Sequence, residues 1–113
     1  MAAVANLSLD QGATFSSDIT VKDINGNVFD LTGYTAAAKL AKGYSSTRTR
    51  TAITTSFAQD RTTGILSISL TANQTASLDP ERYVYDVEIT SSGGIVTRVL
   101  EGIITVRPEV STS

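Results

Sequence analysis

Apolar residues recur at every second position along much of the chain. Tyr83, Tyr85, Val87 and Ile89 share one parity and Val84, Asp86, Glu88 and Thr90 the other, so RYVYDVEIT (82–90) reads as a half-buried strand. The same period of two runs through Phe15, Ser17, Ile19 and Val21, and through Leu66, Ile68 and Leu70 between serines. Leu7 and Leu9, between Ser8 and Asp10, predict a short edge strand. Ala52 to Phe57, with Ile53 apolar, and a long stretch from Ile95 to Val106 complete the set. Gly102 inside that last stretch predicts a bulge.

Turn signals separate these runs. Gln11-Gly12 ends the first. Asn25-Gly26 predicts a two-residue type I′ hairpin, whose central residues both need positive φ. Val28 to Leu31 resumes the chain, and Thr32-Gly33 marks a corner. Asp60 to Gly64 and Ser92-Gly93-Gly94 turn again. ANQTASL (72–78), with Thr71 as N-cap and Asp79-Pro80 as a stop, predicts one or two helical turns. The result is seven or eight strands at spacings of about ten residues, which predicts an all-β antiparallel sandwich.

One segment fits two templates. In DLTGYTAAAKLAKG (30–43), Thr35 suits a helix cap, Lys39 and Lys42 fall late, and Gly43 stands where a C-terminal glycine belongs. A helix of about eight residues is marginal without packing. Read as a strand, the segment puts Tyr34, Ala36, Ala38 and Leu40 on one face. Thr35, Ala37, Lys39 and Ala41 form the other, a flat face of small residues suited to lie against another subunit.

The chain has 113 residues, enough for a single domain with its own core. Its formal net charge of −2 gives no basic bias, so nucleic acid is not an expected partner. No apolar run reaches the roughly 20 residues that span a membrane. The opening MAAVANLSLDQG has neither the basic start nor the apolar centre of a signal peptide, so the expectation is synthesis in a cytoplasm.

Histidine and cysteine are both absent. The commonest general base, the thiol nucleophile and the best zinc ligands are therefore missing. Asp23, Asn25 and Asn27 alternate like calcium ligands. The glycine falls at the fourth position rather than the sixth, and no glutamate stands at the twelfth, so a tight turn explains them better. Asp86, Glu88 and Glu101 are carboxylates on a flat sheet, with Arg82 and Arg98 as cross-strand partners, rather than acids facing across a cleft. The expectation is a protein with no enzymatic activity, cofactor or metal. Candidate contacts lie elsewhere: Leu7 and Leu9 on the edge strand, Tyr44, Arg48 and Arg50 in and beside the polar loop GYSSTRTR (43–50), and Arg61.

The order of motifs adds a resemblance. The chain runs QGATF (11–15), DINGNVFDLTGYT (23–35), GILSISLTANQTASLDPERYVYDVEIT (64–90) and IVTRVLEGIITVRPEV (95–110). This series resembles small virion structural proteins of tailed bacteriophages, including phages of cyanobacteria. It is similar to the N-terminal immunoglobulin-like domain of phage baseplate upper proteins. Asp79-Pro80-Glu81-Arg82 departs from the pattern, which often has a glycine there. The resemblance implies a single Ig-like β-sandwich over 13–107, an N-terminal arm or edge strand over 1–12 and a polar tail over 108–113. It also tips the 34–41 segment toward a strand. The function it implies is structural: a virion component, assembled in the host cytoplasm, that docks on symmetric neighbours and self-associates within the particle. Its first expected partner is a major capsid protein, as a decoration or cement protein. Tail or baseplate proteins come second, as for an adaptor. A carbohydrate-binding module built on tyrosines is the reading from a different class.

Overall fold

The computed structural model describes residues 3–23, 25–42 and 50–108. Eight strands follow in chain order: β1 (Ala3–Val4), β2 (Leu7–Asp10), β3 (Phe15–Thr20), β4 (Thr35–Ala41), β5 (Arg50–Phe57), β6 (Ile65–Leu70), β7 (Arg82–Thr90) and β8 (Val96–Arg107). A 3-10 turn (Arg61–Thr63) precedes β6, and one short helix, α1 (Ala72–Ala76), follows it. The strands form two layers. In one, β4, β7 and β8 pair antiparallel in the order β4-β7-β8. In the other the order is β3-β6-β5. β5 belongs to both, because Arg50 to Ile53 pair with β4 and Thr54 to Phe57 with β6.

This is the B-E-D and C-F-G layout of an immunoglobulin-like sandwich, with β5 as the strand that changes sheets. The N-terminal strands depart from a purely antiparallel plan. β1 and β2 both run parallel to β8, with Ala3 opposite Leu100 and Leu7 opposite Ile104, so the sheet is mixed. Hydrophobic alternation specifies a strand and its face, whereas the direction of pairing depends on where the chain enters.

The core lies between the layers. Leu40, Leu66, Ile68, Leu70, Val87, Ile89 and Ile104 are all essentially sealed from solvent. Their alternation puts polar neighbours outward, which is why the period of two was readable. The 34–41 segment is a strand. Ala38 pairs with Val87 on one side and Ile53 on the other, so larger neighbours fill the space its methyl leaves. Leu40 beside Tyr85 is 1% exposed, a burial worth about 2 kcal/mol that an isolated short helix would forgo. The outward row ends early, because Ala41 shares parity with exposed Lys39 yet is 3% exposed.

Two turns differ from expectation. At Asn25-Gly26, only Gly26 has positive φ (84°), so the turn is not type I′. Gly26 N–H donates to Asp23 O and Asp23 N–H to Asn27 O, so a left-handed glycine closes the turn. Asp23 Oδ1 also accepts from the amides of Asn25 and Asn27, which occupies the carboxylate that resembled a calcium ligand. The bulge in β8 falls between the pairs Val87–Leu100 and Glu88–Arg98, leaving Val99 as the extra residue instead of Gly102. The capping signal on α1 forms in full. Thr71 Oγ1 accepts from Gln74 N–H, and Gln74 Oε1 accepts from Thr71 N–H.

Candidate interaction surface

Gly102 is the place where the N-terminal strand locks on. It faces the core side of β8, between buried Leu100 and Ile104, and pairs directly with Tyr85. A Cβ there would meet the Ala5 carbonyl oxygen at 2.1 Å. The missing side chain makes a notch, and that carbonyl occupies it. Tyr85 donates its hydroxyl to the same oxygen at 2.6 Å. Burial pushes the Tyr85 hydroxyl up to about 12. Ala5 N–H donates to Glu101 O, and Asn6 Oδ1 accepts from Ile103 N–H. Val4 and Leu7 are thus ladder residues on either side of a two-residue kink held by three bonds.

Residues 11–13 fasten the other end of that strand. Gln11 Nε2 donates to Leu78 O at 2.9 Å. Gly12 N–H donates to Thr75 Oγ1, and Thr75 Oγ1 donates to Ala13 O. Thr75 is fully buried, and its hydroxyl serves this joint while also lying 3.1 Å from Ala72 O in its own helix. Tyr83 makes a second hydroxyl clamp. It opens β7 and donates to Asp79 O at 3.0 Å, the tyrosine corner of Greek-key sandwiches. Burial raises the Tyr83 hydroxyl above its ordinary value. The departure at Asp79-Pro80-Glu81 carries an ion-pair cluster instead of a glycine. Lys42 Nζ lies 3.0 Å from Asp79 and 3.2 Å from Glu81, and the hydrogen bond to Asp79 raises its pKa.

The outer face of β8-β7-β4 is a three-stranded surface. The ladder sets out its rows: Val96–Thr90–Thr35, Arg98–Glu88–Ala37, Glu101–Asp86–Lys39, and Ile103–Val84–Ala41. Arg98 bridges Asp86 (3.5 Å) and Glu101 (3.3 Å), so the carboxylates that resembled an acid pair share one guanidinium. Such half-exposed pairs contribute at most about 1 kcal/mol each. Exposed Val4 stands beside Glu101, and exposed Val96 and Ile103 stand at two corners. A mixed centre with apolar corners suits contact with a protein better than with a polyanion.

The sequence candidates fall on different ground. Leu7 is half-buried, and Leu9, at 4% exposed, is a core residue rather than a contact. Arg61 is also engaged inside the chain. Its guanidinium lies 4.1 Å over the Phe57 ring and donates to Tyr34 O at 2.8 Å. Tyr44 and Arg48 lie outside the described residues, and of Arg50 only the backbone pairing with Ala41 is described. Tyr34 packs edge-on to Phe29, and Tyr83 and Tyr85 are buried, so these three offer no exposed platform for a sugar. Gly102 and Asn6, which sequence reasoning did not connect, seat the N-terminal strand on β8.

Twin Asp-x-Thr turns border the corner before β4. Asp30 Oδ1 accepts from Thr32 N–H and Oγ1, and Asp60 Oδ1 accepts from Thr62 N–H and Oγ1. These bonds hold both carboxyls below the usual range. Leu31 N–H donates to Arg61 O and joins the two turns. Among the described residues no three acidic side chains cluster to hold a metal, and no helix is long and apolar enough to cross a membrane.

A scan against protein-family models finds no match, and no curated protein matches the chain in sequence. Among solved structures, an internalin-like protein of Listeria monocytogenes superposes over 94% of this chain with a TM-score of 0.48 and 16% identity. The match takes in only 28% of that protein's length, a likeness too distant to bear on function.

Proposed function

We propose that this chain is a non-enzymatic structural component of a tailed-phage virion, docked on symmetric neighbours as a decoration or cement protein of the capsid exterior. The observation that carries the reading is where the phage-like motifs fall. Gln11 and Gly12 of QGATF anchor the N-terminal strand. DLTGYT builds the corner into β4 through Asp30, Thr32 and the left-handed Gly33. The two tyrosines of RYVYD clamp the strand ends. The resembling residues are thus those that set the frame, as expected when a scaffold is shared and its faces vary.

The outer face of β8-β7-β4 supplies the docking surface in this reading, with a major capsid protein as first partner and a tail or baseplate protein as second. Neither nucleic acid nor membrane enters. Many identical copies make a weak contact effective through avidity. Quantitative mass spectrometry of purified particles tests the reading. A count on the order of hundreds per virion supports decoration. A ring-sized count, on the order of ten, replaces it with the baseplate adaptor. Absence of the chain from particles overturns both.

A further inference from the structure

We infer that two copies of this chain join edge to edge through β3, antiparallel about a two-fold axis at Ser17. β3 ends the sheet order, and among the described residues no strand pairs with its outer edge. In a seven-stranded Ig sandwich the first strand lies beside the second on this sheet. Here that strand pairs with β8 instead, and among the described residues none takes its place beside β3.

The open edge is regular. Phe15 to Thr20 match Leu70 to Ile65 residue for residue with no register shift. The segment contains no proline, lysine or bulge, which are devices that blunt an edge. Phe15 and Ile19 remain half-buried, so a neighbouring strand would finish covering them.

The sequence of the edge selects its own partner. Antiparallel pairing keeps inward residues opposite inward ones only for registers centred on a residue. Centring on Asp18 opposes two like charges. Centring on Ile19 leaves Phe15 and Ser16 unmatched within the strand. Centring on Ser17 pairs Phe15 with Ile19 of the second copy, twice by symmetry. It also puts each Ser16 hydroxyl opposite an Asp18 carboxylate. Ser67 Oγ donates to Asp18 Oδ1 at 2.5 Å and holds that carboxylate on the outer face where the second Ser16 arrives. Five residues on each side match themselves, which is what an isologous contact requires.

An edge contact of this length falls below the roughly 1,000 Å² that a stable free dimer buries, so cross-linking traps it better than isolation does. The inference stands apart from the virion reading, because a cross-link in purified protein does not depend on copy number. The chain has no cysteine, so single-cysteine variants report without background. In this register the Ser17 Cα atoms stand about 5 Å apart, within disulfide reach. Under mild oxidation, Ser17→Cys should form covalent dimer at least about tenfold faster than Thr20→Cys on the same edge or Ser8→Cys on β2. Equal rates for the three overturn the proposal. A second pair of variants guards against a local effect of the thiol. In the Ser17→Cys background, Ser16→Lys should speed cross-linking and Ser16→Asp should slow it, each by roughly threefold to tenfold. No change, or change in the same direction for both, also overturns it.

Discussion

The two edges of the sandwich end in opposite ways. At β8 the chain covers its own edge with residues 3–10, and then fixes that cover through Gly102, Tyr85 and Asn6. At β3 the edge is straight and open among the described residues. The covered edge is stabilised by bonds between residues about a hundred positions apart. The open edge lacks any such closure. A substitution at the first edge should therefore register in folding, and one at the second in association.

The largest effect should come from Gly102→Ala. The new methyl would meet the Ala5 carbonyl, so the N-terminal strand must lift and Leu9 lose its burial. Unfolding monitored by urea should show a loss of about 4 kcal/mol. A loss below about 1 kcal/mol would mean that the notch is not what holds the strand. Thr75→Val comes next. It leaves Gly12 N–H and Ala13 O without the hydroxyl they share, and about 2 kcal/mol should go.

Tyr85→Phe removes only the bond to Ala5 O and should cost about 1.5 kcal/mol. The same tyrosine gives the covered edge a pH dependence. Its folded pKa of about 12 lies above the ordinary 10.0, so the unfolded chain ionises first. The stability it contributes is fully present below pH 10 and should fall as pH rises from 10 to 12. In the phenylalanine variant that alkaline decline should shrink; an unchanged decline would locate it at Tyr83 or elsewhere. The smallest effect belongs to the open edge. Thr20→Lys on exposed β3 should change stability by less than about 0.5 kcal/mol. A larger loss in purified monomer would show that β3 is already covered from within.

The contrast also marks what the sequence could convey. RYVYDVEIT was readable because its alternation matches a strand buried on one face, and β7 begins and ends where that pattern does. Thr71 and Gln74 are three residues apart, so the cap on α1 was readable too. The covered edge depends on Ala5 meeting Gly102, and no local window contains both. Gly102 alone looked like a bulge, and Leu9 like an exposed edge residue. Arg61 read as a loop arginine because neither its ring partner Phe57 nor the Tyr34 carbonyl can be inferred from spacing. Ala41 shows the limit of parity itself, since it is sealed while Lys39, two residues earlier, is not. The helix-like alanines needed the larger residues on β5 and β7 before a strand made sense.

The parallel run of residues 3–10 beside 100–107 has a mechanical consequence. Tension applied to the two ends of the described chain pulls these strands past each other along their length. Their ladder bonds then bear load together, as in shear, instead of opening one at a time. Force spectroscopy with handles at Ala3 and Arg107 should meet one high resisting step, and moving the first handle to Asp10 should lower it. An edge closed in this direction makes a small sandwich able to stay folded while something tugs on it.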